Sequence, residues 1–123
     1  MTTDLVRHAL GNAVGAKRPR PGVIHHSDRG SQYCAHDYQD QLRQFGMIPS
    51  MSRKGHCYDN APMESVWGTL KNELVHHRRY TTREQARREI TEYIELFYNR
   101  QRRHSRLGNR SPAAFAQQWA RQQ

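Results

Sequence analysis

Asp28 and Glu64 are separated by 35 intervening residues, and each sits in a polar motif: His26-Ser27-Asp28-Arg29-Gly30-Ser31-Gln32-Tyr33 and Tyr58-Asp59-Asn60-Ala61-Pro62-Met63-Glu64-Ser65. Two carboxylates brought together in space can hold a pair of divalent cations roughly 3.5–4 Å apart, which activate an attacking oxygen and stabilise the leaving one during in-line phosphoryl transfer. Lys71 follows Glu64 by seven residues, which on a helix leaves the two side chains about 20° apart, so the lysine can grip a phosphate near the carboxylate. Each residue also has a plainer reading. Asp28 alone is a common turn or cap residue at a strand–loop junction, Glu64 alone a glutamate in a helix's first turn, and Lys71 alone a solvated lysine.

The motifs around them resemble the insertion-sequence transposases whose catalytic domain is related to retroviral integrases, the D,D(35)E recombinases. The resemblance runs from about Gly22 to Phe115 and adds Ser50-Met51-Ser52-Arg53-Lys54-Gly55, Thr69-Leu70-Lys71, Tyr98-Asn99, Arg102, His104-Ser105, Leu107-Gly108 and Ser111-Pro112. It implies an α/β architecture, a partial ribonuclease-H-like integrase core with two short strands and several helices, the N-terminal strands missing. Such a core uses Mg²⁺, or Mn²⁺ in its place, to free a 3′ hydroxyl at an element's end and drive it into target DNA without a covalent enzyme intermediate. By resemblance Asp28 and Glu64 hold metal and are catalytic. Lys71, Arg29, Gln32, Arg53, Lys54, Asn60, Arg102, Arg103 and His104 contact DNA, and the full-length enzyme is a homo-oligomer on transposon ends and target. Members carry a first aspartate on a strand upstream of the second. Asp4 is the one carboxylate before Asp28 in this sequence, and it opens a helical stretch, so a C-terminal part of a transposase is expected.

With 123 residues and 35% hydrophobic content the chain is bounded at one domain with thin burial; residues 1–115 are assigned to the partial core and 116–123 to a frayed basic tail. A net charge of +9 and a pI near 10.3 call for a polyanionic partner. Nucleic acid fits better than a membrane, because no apolar run approaches the roughly 20 residues a bilayer span needs. No signal-peptide core is visible, which places the protein in the bacterial cytoplasm or nucleoid. From Arg100 onward there are six arginines and no acid, so that end is expected to face phosphates. Cys34 and Cys57 suit reduced thiols, and the groupings His25-His26, Cys34-x-His36, His56-Cys57 and His76-His77 lack the paired spacing of structural zinc.

Periodicity supplies the scaffold. A helix is expected over 3–15, then a buried strand over 23–26 that delivers Asp28 to a cleft, a helix over 36–45 ended by Gly46, and a second strand over 47–51 whose proline marks an edge. A polar loop over 52–62 leads into a helix opened by Pro62, with Met63, Val66, Trp67, Leu70 and Leu74 on its buried face and Glu64 and Lys71 at the boundary with solvent. Thr81-Thr82-Arg83-Glu84 reads as a capping box for a long helix to about Asn99. Ser111-Pro112 starts a last short helix with Ala114, Phe115 and Trp119 turned inward. Two other functional classes remain open: a catalytically inactive basic DNA-binding remnant of a truncated transposase, and a nuclease of the same superfold that cuts without joining.

Overall fold

Thr2 has extended backbone and its hydroxyl accepts from the Leu5 amide at 3.3 Å, so α1 (Thr3–Lys17) begins at a side-chain cap and carries Asp4 in its first turn. It runs through Gly15, where an earlier end was expected. Arg18 stops it instead, in left-handed backbone with its N–H on the Val14 carbonyl. The computed structural model describes residues 2–55 and 57–122; His56 and the side chains of Cys57 and Tyr58 lie outside it, and so does the His56-Cys57 pairing weighed above. The described residues fall into two compact units, Met1–Val66 and Trp67–Gln123.

The first unit holds two parallel strands, β1 (Ile24–Ser27) and β2 (Ile48–Met51), in the register Ile24↔Ile48, His25↔Pro49, His26↔Ser50, Ser27↔Met51. Parallel strands need a crossover, and here it contains α2 (Ser31–Cys34) and α3 (His36–Gln44). The short α2 was not foreseen, because the polar Ser31-Gln32-Tyr33-Cys34 has no helical stripe. Val6 and Leu10 of α1 pack with Tyr38 and Leu42 of α3 as the core, with Val14, Tyr33, Phe45 and Met47 against it. Gly46 closes the crossover at φ 70°. A Cβ there would meet Pro21 at 3.0 Å, and the Gly46 carbonyl takes the Gly22 amide at 2.8 Å, so both the turn and the close approach require glycine.

β1 is not the buried strand expected. Ile24 is 67% exposed and Val23 43%, while the alternate residues His25 and Ser27 are half-buried. With a period of two the register puts His25, not Ile24, against the core. His25 Nε2 and the Tyr38 hydroxyl share a 2.8 Å hydrogen bond, and their rings meet edge to face. Burial raises the Tyr38 phenol to about 12 and lowers the His25 imidazole, so both groups stay neutral.

A 3₁₀ turn, Cys57–Asn60, leads into α4 (Ala61–Glu73). Of α4's expected apolar stripe Leu70 is buried, Val66 half-buried, and Met63 and Trp67 about half exposed, since periodicity reports which residues share a face and not what covers it. α5 (Arg83–Glu92) continues into a π-helical turn, Tyr93–Tyr98. Its cap is one residue later than the sequence pattern: the Thr82 hydroxyl accepts from Gln85 N at 3.1 Å, and Gln85 Oε1 reaches back to Thr81 N and Oγ1. α6 (Pro112–Arg121) starts at Ser111, whose hydroxyl caps Ala114 N. It remains helical through the stretch expected to fray, and Ala114, Phe115 and Trp119, expected inward, are exposed. No described helix is long and apolar enough to cross a membrane.

Candidate active site

Asp28 stands directly after β1, where the chain leaves the sheet. Its Oδ1 accepts the Gly30 amide at 2.7 Å, which ties the carboxylate into its own turn. Gly30 has an ordinary φ, but a Cβ there would fall 2.9 Å from Asp28 Oδ1 and 2.7 Å from Gln32 Nε2, so those side-chain ends would have to shift.

Asp28 lines a cleft of about 350 Å³ with Arg29, Ser52, Arg53, Lys54, Gly55 and Asn60. Ser52 lies at its floor, 5% exposed. Its amide donates to the Ser27 carbonyl at 2.9 Å, and its own carbonyl accepts Arg29 Nε at 2.8 Å. The Ser52 hydroxyl also donates to Asn60 Oδ1. The same hydroxyl lies 3.3 Å from the Ser27 carbonyl and 3.3 Å from His26 Nε2, and His26 Nδ1 pairs with the Ser50 hydroxyl at 3.0 Å. Across the cleft Arg53 is held by Asp59, through its amide at 2.9 Å and its Nε at 3.4 Å. Lys54 is exposed at the lip.

The structure thus brings Asp28, Arg29, Arg53, Lys54 and Asn60 to one cleft. Glu64 is exposed in the first turn of α4, one turn beyond Asn60, and is not part of the cleft lining. Gln32 sits in α2, half-buried beside the Asp28 turn. Lys71, Arg102, Arg103 and His104 belong to the second unit. Lys71 and Arg103 are exposed there. Arg102 is committed: its Nε donates to both Glu73 oxygens, at 2.9 and 3.0 Å, and its guanidinium lies 6.0 Å from the Tyr98 ring centroid. The Tyr93 hydroxyl donates to the same Glu73 carboxylate. The Arg102 hydrogen bond is the main reason Glu73 is held below the ordinary carboxylate range. His104 packs its ring edge to face on Tyr98, its backbone amide donates to the Arg110 carbonyl, and burial followed by the Arg102 charge lowers its imidazole. Sequence reasoning missed Ser52 and Glu73. Ser52 was legible in part, since β2 places Ser50 beside His26 and Ser52 just beyond the strand; the Glu73–Arg102 pair joins residues too far apart in sequence for any local pattern.

Among the described residues no three His, Cys, Asp or Glu side chains are close enough to close a metal site. Two carboxylates are a hard-oxygen donor set that suits Mg²⁺ with water or phosphate oxygens in its other positions.

A mostly helical α/β chain with a parallel strand pair, an aspartate at a strand's C-terminal end and cationic side chains facing it belongs to the class of open α/β folds that gather reacting groups beyond their strand ends. Two models of the integrase core domain match the sequence, over residues 1–57 and 46–112. The chain is 62% identical over 119 residues to the insertion element IS600 uncharacterized 31 kDa protein of Shigella sonnei, covering 97% of this chain and 44% of that one. It is 50% identical over 115 residues to the transposase for insertion sequence IS904 of Lactococcus lactis (94% and 46% covered), and 49% over 116 residues to transposase InsF for insertion sequence IS3A of Escherichia coli (94% and 40%). The chain belongs to the integrase core domain family, in the branch found in insertion-sequence transposases. It spans less than half the length of these curated relatives.

Proposed function

We propose that this chain is the part of a DNA transposase core, ribonuclease-H-like in plan, that contributes Asp28 and Glu64 to a divalent-metal site and a cationic surface to DNA. The observation that carries the reading is the Asp28 cleft, in which a carboxylate with one oxygen uncommitted faces Arg53 and Lys54 across about 350 Å³. A bound Mg²⁺ or Mn²⁺ would supply Lewis-acid activation of the attacking and leaving oxygens in strand cleavage and strand transfer.

The chain's own residues have separate tasks in this scheme. Asp28 Oδ2 and the Glu64 carboxylate offer charge and lone pairs to the cation. Lys54 in the first unit, and Lys71 and Arg103 in the second, each attract phosphates by their charge. Arg29 acts through the backbone, holding the Ser52 carbonyl, and Arg102 holds Glu73; both shape the protein more than they grip DNA.

The test is duplex binding by fluorescence anisotropy with and without Mn²⁺. Mn²⁺ should tighten binding by the wild-type chain, since Asp28 and Glu64 would hold the cation and its charge would attract phosphate, and the effect should be lost in Asp28→Asn and Glu64→Gln. An equal Mn²⁺ effect on all three proteins would overturn the metal assignment. Salt-sensitive binding that ignores Mn²⁺ in the wild type would instead favour the basic DNA-binding remnant.

A further inference from the structure

We infer that Ser52 is the positioning residue that sets the Asp28 turn against the loop running to Glu64. The inference rests on the proposed metal site and extends it to a residue that touches neither metal nor DNA.

Three segments meet at Ser52. Its amide and hydroxyl hold the end of β1, through the Ser27 carbonyl at 2.9 Å and His26 Nε2 at 3.3 Å, immediately before Asp28. Its carbonyl holds Arg29 at 2.8 Å, immediately after Asp28. Its hydroxyl holds Asn60, the last residue of the 3₁₀ turn before α4, four residues ahead of Glu64. Thus one buried residue is bonded on both flanks of the first carboxylate, after it through its backbone carbonyl and before it through its amide and hydroxyl, and the hydroxyl alone reaches the entry to the helix bearing the second. Asn60 is the step at which that helix is aimed, because α4 begins at Ala61 and its first turn carries Glu64.

The chemistry at this position is narrow. The group must donate a hydrogen bond to Asn60 Oδ1, pair with His26 Nε2, and fit a site with 5% exposure. Serine and threonine hydroxyls do both, whereas alanine removes the donor to Asn60 Oδ1 and the link from it to His26. Loss of the hydroxyl frees the Asn60 turn from β1 and lets the two carboxylates drift apart. Cation affinity depends on their spacing more steeply than fold stability does, because Leu42 and its neighbours on the far side of the sheet carry the core.

The experiment measures Mn²⁺ affinity by water-proton relaxation and thermal stability in parallel, for wild type, Ser52→Ala, Ser52→Thr, Asn60→Ala, Ser52→Ala/Asn60→Ala, Asp28→Asn and Glu64→Gln. Ser52→Ala is expected to weaken Mn²⁺ roughly tenfold, as loss of groups that orient metal ligands does. Ser52→Thr is expected to stay within about twofold of wild type, and the double variant to be no weaker than Ser52→Ala alone, since both changes break one link. If Ser52→Ala binds Mn²⁺ like wild type while Asp28→Asn and Glu64→Gln do not, the positioning role is wrong and the metal site stands. If neither carboxylate variant alters Mn²⁺ binding, the metal reading itself is wrong. Should Ser52→Ala fail to fold, Asn60→Ala and Ser52→Thr decide: wild-type affinity in Asn60→Ala, or a tenfold loss in Ser52→Thr, overturns the inference.

Discussion

Replacing Glu73 by alanine tests the ion pair that ties the end of α4 to the segment after the π-helical turn. Glu73 accepts from Arg102 Nε and from the Tyr93 hydroxyl, with side-chain exposures of 35% for Glu73 and 27% for Arg102. A charge-assisted hydrogen bond contributes about 1.5–3 kcal/mol when screened from water, but partial exposure moves the Arg102 contact toward the value of about 1 kcal/mol found at surfaces. The Tyr93 bond adds about 1 kcal/mol. Glu73→Ala should therefore destabilise by about 2 kcal/mol at neutral pH, a fall in Tm of roughly 8 °C at about 4 °C per kcal/mol for a chain of this size. Because the folded-state pKa of Glu73 is lowered, its stabilisation is full above the unfolded value, near 4.5, and is lost as pH falls through the lower folded value. Urea unfolding of wild type and variant at neutral pH and at about pH 3 reads both effects. A neutral-pH difference below about 0.3 kcal/mol, or a deficit undiminished in acid, would refute the reasoning.

Leu42 is 1% exposed at the centre of the first unit, so Leu42→Ala should cost about 2–4 kcal/mol in urea unfolding, with a loss under 1 kcal/mol arguing against that core. Gly30→Ala, at an ordinary φ of −54° but with its Cβ against the Asp28 carboxylate, should weaken Mn²⁺ binding several-fold with Tm little changed; relaxation and melting curves measure the two. The lowered imidazoles of His25 and His104 favour the neutral form in the folded chain, so stability should fall as pH drops below the unfolded value of 6.5, a loss that His25→Gln/His104→Gln should reduce in melts on either side of that pH. DNA affinity should fall steeply with salt, and Arg103→Ala should reduce the slope of log K against log salt by roughly 0.9 while Arg102→Ala chiefly lowers Tm.

Asp28 at a strand end, the helix bearing Glu64 and the cap at Ser111 could all be read from the sequence because each depends on local signals: a short β-branched run, Pro62 in a helix's first turn, a serine before proline. The faces were harder. Ile24 and Trp67 are apolar yet exposed, because which face is covered depends on other elements that local pattern does not encode. Arg102 looked free for phosphate since no acid stands near it in sequence; Glu73, which also accepts the Tyr93 hydroxyl, reaches it only once the chain turns back through the π-helical segment. Ser52 read as one of several loop serines, and its role as a hub needs β1, β2 and the Asn60 turn to be in place.

The central claim, that Asp28 and Glu64 share a divalent cation, is tested most directly by Fe²⁺ affinity cleavage. Fe²⁺ takes the place of Mg²⁺, ascorbate and peroxide generate radicals at the bound ion, and mass spectrometry maps where the backbone is cut. Cuts should cluster within a few residues of both Asp28 and Glu64, fade as Mg²⁺ is added, and disappear in Asp28→Asn. Cuts confined elsewhere, or clustered at one carboxylate alone and indifferent to Mg²⁺, would contradict the account.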